Sequence, residues 1–182
     1  MFDGITWLPE LVYLESCNGV WEKYIEAVYN IFKGDFIDCS NNFQGKQLNV
    51  LKYPLIKGKE SGFWHLVQEG PVESERIPDL RRCERINWPK VIIYNSIQCE
   101  VKIYENQRNT TRGVLKNICL WLEKEDYLII IRKKNNCLLL WTAYILKYEH
   151  AKQKAKKEYE EYIKKQGTLG NQATPDIPST TR

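Results

Sequence analysis

Three apolar segments with very short connections dominate the carboxy-terminal half of the chain and constrain its fold most strongly. They are LKNICLWL at 115–122, DYLIIIRK at 126–133 and CLLLWTAYIL at 137–146, and each is rich in residues that favour strands. The connections have three residues each, too few for a crossover helix, and Lys134-Asn135-Asn136 predicts a tight hairpin. With the alternating segment CEVKIY at 99–104, the pattern predicts an antiparallel sheet of about four strands.

The amino-terminal half of the chain has helical periodicity instead. Apolar residues between Trp21 and Phe32 recur three and four positions apart, which predicts one buried face of a helix. Two shorter helices are predicted at 58–70 and 79–86, the second with Asp79 as its N-cap residue.

The segments between these helices favour other conformations. Residues 35–47 are polar and turn-rich and predict a loop, and residues 48–55 predict a short extended segment. Pro89 is expected to end the third helix, and the apolar run 91–94 predicts a strand.

The last part of the chain is strongly charged and then polar. Residues 147–165 predict a basic helix, because seven lysines there outnumber four glutamates. Residues 167–182 hold few apolar side chains and predict a disordered tail. We therefore predict an α+β fold in which amino-terminal helices precede the sheet and a basic helix follows it, as a single domain over 1–166.

Several features of the sequence bear on where the chain acts. No secretory signal is predicted, because the first residues are acidic and lack a basic segment, and no apolar run approaches the roughly 18 residues of a membrane-spanning helix. The six cysteines form no C-x-x-C pair, and with only two histidines no usual zinc site is predicted. We expect reduced thiols, no cofactor, no membrane partner and a cytoplasmic location. The net charge of +4 permits an anionic partner without requiring one.

His65 is the candidate with the most useful chemistry. It is the only histidine before the terminal helix, which carries His150. An imidazole titrates near neutral pH, so His65 is either a general acid or base or a structural histidine bonded to a carbonyl. Five basic residues within 76–90 outnumber two acids. The guanidinium groups of the four arginines among them suit phosphate, although a solvated helix face would have the same composition.

Other side chains could complete such a site. Trp64, Trp88 and Trp141 would stack on nucleic-acid bases if exposed, or else fill the core. Thr142 lies within the most apolar strand, so its hydroxyl needs a buried partner or must face a cleft.

A pattern of acids offers an alternative chemistry. Asp79 follows a proline, and Glu100-Val101-Lys102 lies on a predicted strand, which is the formal pattern of PD-(D/E)xK nucleases. In that interpretation Asp79 and Glu100 would hold Mg²⁺ and Lys102 would contact the attacked phosphate.

The order of short motifs resembles a group of small bacterial and mobile-element proteins. The motifs are Gly58-Lys59-Glu60, Phe63-Trp64-His65, DLRRCERI at 79–86, Trp121-Leu122-Glu123, Asp126-Tyr127-Leu128 and Leu140-Trp141-Thr142-Ala143-Tyr144. The resemblance spans residues 20–165, and the layout is similar to the nuclease superfamily of barnase, EndoU, colicin-type tRNases and RelE-like toxins.

This resemblance implies a metal-independent endoribonuclease that cleaves RNA through attack by the 2′-hydroxyl. It also implies that the protein is a toxin of a toxin–antitoxin or phage-related system. The implied catalytic residues are His65, Arg82, Arg85, Thr142 and Tyr144. The implied RNA-binding residues are Lys59, Arg81, Trp64 and Trp88, and Lys59 or Tyr144 would carry the second proton. The sequence departs from well-known members because the sheet region has no second histidine.

A role without catalysis is also compatible with the sequence. The basic helix at 147–165 could bind nucleic acid or an acidic protein, and in a toxin it could contact an antitoxin. Growth arrest on expression would distinguish a toxin from a passive binding module.

Overall fold

The three apolar segments form the centre of the sheet in a computed structural model, which describes residues 6–70, 72, 75–97, 100–111 and 113–170. The α-helices within these residues are α1 (Trp21–Phe36), α2 (Ser61–Val67), α3 (Leu80–Glu84), α4 (Trp88–Asn95) and α5 (Glu149–Gly170). The strands are β1 (Asn41–Phe43), β2 (Lys46–Asn49), β3 (Leu55–Ile56), β4 (Lys59–Glu60), β5 (Gln68–Glu69), β6 (Ile77–Pro78), β7 (Val101–Thr110), β8 (Gly113–Leu122), β9 (Tyr127–Lys133) and β10 (Leu138–Ile145).

The described strands form one six-stranded sheet of order β1-β2-β10-β9-β8-β7, with β3–β4 and β5–β6 as separate small hairpins. Strands β7 to β10 pair antiparallel with their sequence neighbours, as predicted. The sheet is nevertheless larger than the predicted four strands and is mixed, because β2 adds to β10 in parallel. The class α+β is confirmed, and the predicted all-antiparallel sheet is wrong at this one pairing.

Each face of the sheet packs against different helices. Alternate residues of β8 explain this arrangement, because side chains on a strand point to opposite faces. Ile118 and Leu120 belong to a core shared with the first four helices, whereas Cys119 and Trp121 pack in a smaller cluster with Ala155 of α5. The second half of the strand, residues 117–122, is therefore buried on both faces, which accounts for its nearly continuous apolar sequence.

The predicted first three helices are present, and Asp79 caps α3 as expected. Its Oδ1 accepts a hydrogen bond of 3.0 Å from the Arg82 amide. The predicted strand at 91–94 is wrong, because these residues lie in α4, where Ile92 and Ile93 are buried. Pro89 does not end a helix there but occupies the first turn of the new one, a position that tolerates its missing N–H group.

The predicted loop at 35–47 holds the hairpin of β1 and β2 instead. Asn41 is buried in this hairpin, and its Nδ2 donates to the carbonyl oxygen of Asp35 at 2.9 Å. This bond satisfies the amide nitrogen of a side chain that the sequence alone assigns to solvent, whereas the buried Oδ1 of Asn41 has no hydrogen-bond partner among the described residues.

The final helix α5 continues to Gly170, beyond the predicted boundary at 166, and residues 171–182 of the predicted tail lie outside the described residues. The five described cysteines are free thiols, and Cys99 lies outside the described residues. Among the described helices, none is both long enough and apolar enough to cross a bilayer.

Candidate active site

A β-bulge in β10 shapes the candidate site. Leu140 pairs with Ile131 and Thr142 pairs with Ile130, so Trp141 is the extra residue between two consecutive pairs with β9. In a regular strand Trp141 and Thr142 would point to opposite faces, whereas here both line one pocket. The bulge thus brings an aromatic ring and a hydroxyl together.

Helices cover the edge of β10 beyond this bulge. Among the described residues, β2 pairs with β10 only at Leu138 and Leu139, so the rest of that edge is available to α2 and α3. The Thr142 hydroxyl donates to the carbonyl oxygen of His65 at 2.9 Å and accepts from Nη1 of Arg82 at 3.2 Å. One side chain of the sheet therefore bonds to both helices.

A small polar pocket of about 150 Å³ lies at this junction. Four of the five predicted catalytic residues line it. The lining residues are His65, Gln68, Glu69, Gly70, Arg76, Arg82, Trp141, Thr142 and Tyr144. Residues predicted separately from the helical region and from the last strand thus meet in three dimensions.

The imidazole of His65 is buried, with 8% of the residue exposed, and its ring packs edge-on against the Trp141 indole at a centroid distance of 4.4 Å. The guanidinium of Arg132 lies over the Trp141 ring, and its central carbon is 3.5 Å from the ring centroid. The indole is thus fixed by a cation–π contact and in turn limits the orientations of the imidazole.

Arg82 is the principal cation of the pocket. Its guanidinium lies 5.0 Å from the centroid of the Tyr144 ring, and its Nε is buried without a hydrogen-bond partner in the described part of the chain. Burial lowers the pKa of Arg82, although a guanidinium remains charged at neutral pH. Because Arg82 lines the pocket and stays charged, the pocket favours an anionic ligand such as a phosphate.

Two acids, Glu69 in the lining of the pocket and Asp79 at the N-cap of α3, share one lysine. The ammonium group of Lys147 lies 2.6 Å from Glu69 and 2.7 Å from Asp79. Burial acts to raise the pKa of Asp79, but its hydrogen bonds with Glu69, Lys147 and the Arg82 amide outweigh burial and lower the pKa to about 2. The same two carboxylates raise the pKa of Lys147 through their hydrogen bonds.

Other predicted cations lie elsewhere. Arg85 pairs with Glu84 at 3.2 Å, and its guanidinium contacts the ring of Trp88. Lys59 pairs with Glu26 at 2.5 Å, and Arg81 is exposed on α3. The structure does not bring these three cations into the pocket.

The two tryptophans predicted to bind bases are core residues. Trp64 and Trp88 are 6% and 5% exposed. Their indole N–H groups donate to the carbonyl oxygens of Ile56 at 2.8 Å and Pro9 at 3.0 Å. Neither ring offers a free face to a base, and both stabilise the fold by filling the core and satisfying a buried donor.

The acids of the alternative metal site have separate partners. Glu100 pairs with Lys124 at 3.0 Å and Lys102 bonds to Glu123, whereas Asp79 caps α3 and holds Lys147. Among the described residues, no group of three or more His, Cys, Asp or Glu side chains is arranged to hold a metal ion.

The pocket lining also contains residues that were not among the predicted catalytic or RNA-binding residues: Gln68, Glu69, Gly70, Arg76 and Trp141. Gln68, Glu69 and Arg76 reach the pocket from the small hairpin of β5 and β6 and the turn between these strands. Arg76 belongs to the same basic stretch as Arg82, which is a usable signal, and its Nε donates to the carbonyl oxygen of Gly70 at 3.0 Å. Gln68 and Glu69 carry no comparable sequence signal.

The arrangement supplies a buried imidazole, two guanidinium groups, a hydroxyl and a phenol around one polar pocket. Burial raises the pKa of the Tyr144 phenol, so this group stays protonated at neutral pH and can donate a proton. Together these groups suit acid–base chemistry on an anionic ester. No protein-family model, curated protein or solved structure matches the chain.

Proposed function

We propose that the chain is a metal-independent endoribonuclease with His65, Arg82, Thr142 and Tyr144 as its catalytic centre. The observation that carries this proposal is the convergence of these four residues on one pocket of about 150 Å³. The order of elements is compatible with it, because helices precede an antiparallel four-strand unit.

The proposed reaction is a transesterification within the RNA backbone. His65 removes the proton of a ribose 2′-hydroxyl, the 2′-oxygen bonds to the adjacent phosphorus, and the bond from phosphorus to the 5′-oxygen breaks. Tyr144 donates a proton to that leaving oxygen, which yields a 2′,3′-cyclic phosphate and a 5′-hydroxyl. Arg82 stabilises the charge on the phosphorane, and Thr142 holds the Arg82 guanidinium in place.

Arg76 takes the role that the sequence suggests for Arg85. It lines the pocket opposite the buried Arg82, whereas Arg85 is occupied by Glu84. The second phosphate-binding cation is therefore Arg76 in this proposal.

The same proposal includes a toxin role in the cytoplasm, with RNA as substrate and an antitoxin bound to the predicted basic helix α5. The exposed lysines of α5, such as Lys156 and Lys157, support a contact with an acidic partner. Expression of the wild-type chain should arrest growth of the host, and expression of His65→Ala should not.

The decisive experiment is RNA cleavage by purified protein with its product ends mapped. Wild type, His65→Ala and the surface control Lys23→Ala are compared with and without EDTA. We expect cyclic phosphate ends from wild type and Lys23→Ala in the presence of EDTA, and loss of cleavage for His65→Ala. Full cleavage by folded His65→Ala would refute the proposed centre.

Two other outcomes point to the alternatives. Cleavage that EDTA abolishes would direct attention to Asp79, Glu100 and Lys102. RNA binding that weakens steeply with salt, without any product, would favour a non-catalytic binding module.

A further inference from the structure

A second cavity of about 270 Å³ lies between α5 and the sheet, next to the catalytic pocket. Tyr144 lines both, so its ring forms a wall between them. Arg82 contacts this ring from the side of the catalytic pocket. A ligand that occupies both cavities would therefore pass Tyr144.

The interior of this second cavity is apolar and aromatic. Leu128, Ile130, Leu146 and Ala155 line it together with Tyr104 and Tyr144. Tyr104 is 1% exposed and packs edge-on against Tyr159 of α5 at a centroid distance of 6.2 Å, whereas Tyr144 is half-buried. An apolar surface beside the half-buried Tyr144 ring suits a planar heterocycle.

Polar and charged groups surround the mouth of the cavity. Arg108, His150, Lys154 and Glu158 contribute to the lining. Glu158 is held in place, because its carboxylate accepts from Asn106 Nδ2 at 2.8 Å and from Arg108 Nη2 at 3.2 Å. Asn106 Oδ1 in turn accepts from Asn117 Nδ2 at 3.0 Å, so the acceptor rests on an ordered network.

We propose that this second cavity is a nucleoside subsite, which binds the base of the nucleotide next to the scissile phosphate. The inference rests on the proposed function, because the phosphate of that nucleotide would lie in the pocket of Arg82. The base would pack against Tyr144 and the aliphatic side chains of the cavity, and the cations at the mouth would contact the flanking phosphate.

The size and chemistry of the cavity favour a single nucleoside. Pockets for larger organic ligands usually exceed roughly 300 Å³, so 270 Å³ suits one base with its sugar. Single-stranded RNA exposes its bases for stacking on aromatic side chains, and such contacts contribute strongly to affinity. The second cavity therefore explains how an RNA strand could be held while His65 and Tyr144 act.

The probes are the four ribonucleoside 5′-monophosphates and inorganic phosphate, with wild type, Ala151→Phe and Gln153→Phe. Ala151 lines the cavity, so a phenyl group there fills it, whereas Gln153 is exposed on the same turn of α5 and provides the control. We expect Ala151→Phe to raise the Kd of the preferred nucleotide about tenfold or more. Gln153→Phe should leave this Kd unchanged, and neither variant should alter binding of inorganic phosphate.

A second measurement uses the unaltered protein and does not depend on the folding of a variant. The preferred nucleotide should shift the methyl NMR signals of Leu128, Ile130 and Leu146, and inorganic phosphate should not. Absence of these shifts at saturating nucleotide, or an unchanged Kd for folded Ala151→Phe, would overturn the subsite.

The His65→Ala variant separates this inference from the proposed function. It should bind nucleotides and shift the same methyl signals although it cannot cleave RNA. If wild type cleaves no RNA but binds nucleotides in this cavity, the subsite is supported and the nuclease proposal fails. If wild type cleaves RNA but nucleotides do not shift these methyl signals, the nuclease proposal is supported and the subsite fails.

Discussion

The hydroxyl of Thr142 donates a 2.9 Å hydrogen bond to the carbonyl oxygen of His65, across 77 positions of sequence. It also accepts from Arg82, so one hydroxyl joins the last strand to two helices. His65 and Arg82 therefore keep a fixed spacing only while Thr142 holds both.

Replacement of Thr142 by valine keeps the shape of the side chain and removes this hydroxyl. We expect the free energy of unfolding in urea to fall by about 1–3 kcal/mol, because a buried carbonyl and a guanidinium lose their partner. RNA cleavage should fall by more than the unfolded fraction of the variant explains. Thr142→Ser should restore most of the stability and most of the cleavage. A Thr142→Val protein with wild-type cleavage would show that the link does not matter for the reaction.

Tyr144→Phe tests the second proton carrier. The phenyl ring preserves the contact with Arg82, so nucleotide and phosphate binding should change little. The cleavage rate should fall by about 10²–10⁴, the usual contribution of a general acid. Because burial raises the pKa of Tyr144 above its usual value near 10, the wild-type rate should not decline through loss of this proton at neutral pH. Equal rates for the two proteins from pH 6 to 9 would exclude the role.

Trp141 should act by positioning the imidazole rather than by touching substrate. Trp141→Phe keeps a ring against His65 and Arg132 and should retain most activity. Trp141→Ala removes that ring, and we expect it to lower stability by about 2–4 kcal/mol and to reduce kcat more than nucleotide affinity. Circular dichroism first establishes that both variants are folded, and cleavage and binding assays on them then measure this difference.

Asp79 provides a pH-dependent contribution to stability. Its folded-state pKa of about 2 lies below its value of 3.8 in an unfolded chain, so the stabilisation is present above pH 4 and disappears as pH falls through 2. Asp79→Asn retains an N-cap residue and removes the charge that faces Lys147. We expect wild type to exceed the variant by about 1–2 kcal/mol at pH 6 and by almost nothing at pH 2. Urea unfolding at both pH values measures this, and an equal difference at both would contradict the assignment.

The sequence predicts the four-strand unit because its apolar residues recur with strand periodicity and its connections are short. It fails at Val91–Tyr94, because an apolar run of only four residues has the same pattern in a helix and in a strand. It also misses β1 and the first half of β2, because polar residues such as Asn41 and Asn42 become part of a sheet only through tertiary pairing. The predicted extended segment at 48–55 covers only the last two residues of β2.

The sequence predicts the residues of the candidate site whose side chains are chemically unusual in their surroundings. It does not predict those that only the tertiary structure brings into the pocket. His65, Arg82, Thr142 and Tyr144 are unusual residues in their local context, and the structure brings them together. Glu69 and Gln68 are ordinary polar residues whose place in the pocket depends on the β5–β6 hairpin. Burial of Trp64 and Trp88 likewise depends on contacts with Ile56 and Pro9 that no local pattern reveals.

The pocket is assembled from two stretches of chain, 65–82 and 141–144. When the first stretch has left the ribosome, the strands β7, β8 and β9 and the bulge of β10 have not yet been translated. A prematurely terminated product that ends between Arg82 and β10 therefore has His65 and Arg82 without the hydroxyl, indole and phenol of the pocket. If the proposed centre makes the chain toxic, such fragments lack that activity, and the hazard to the producing cell begins only after β10 has been synthesised.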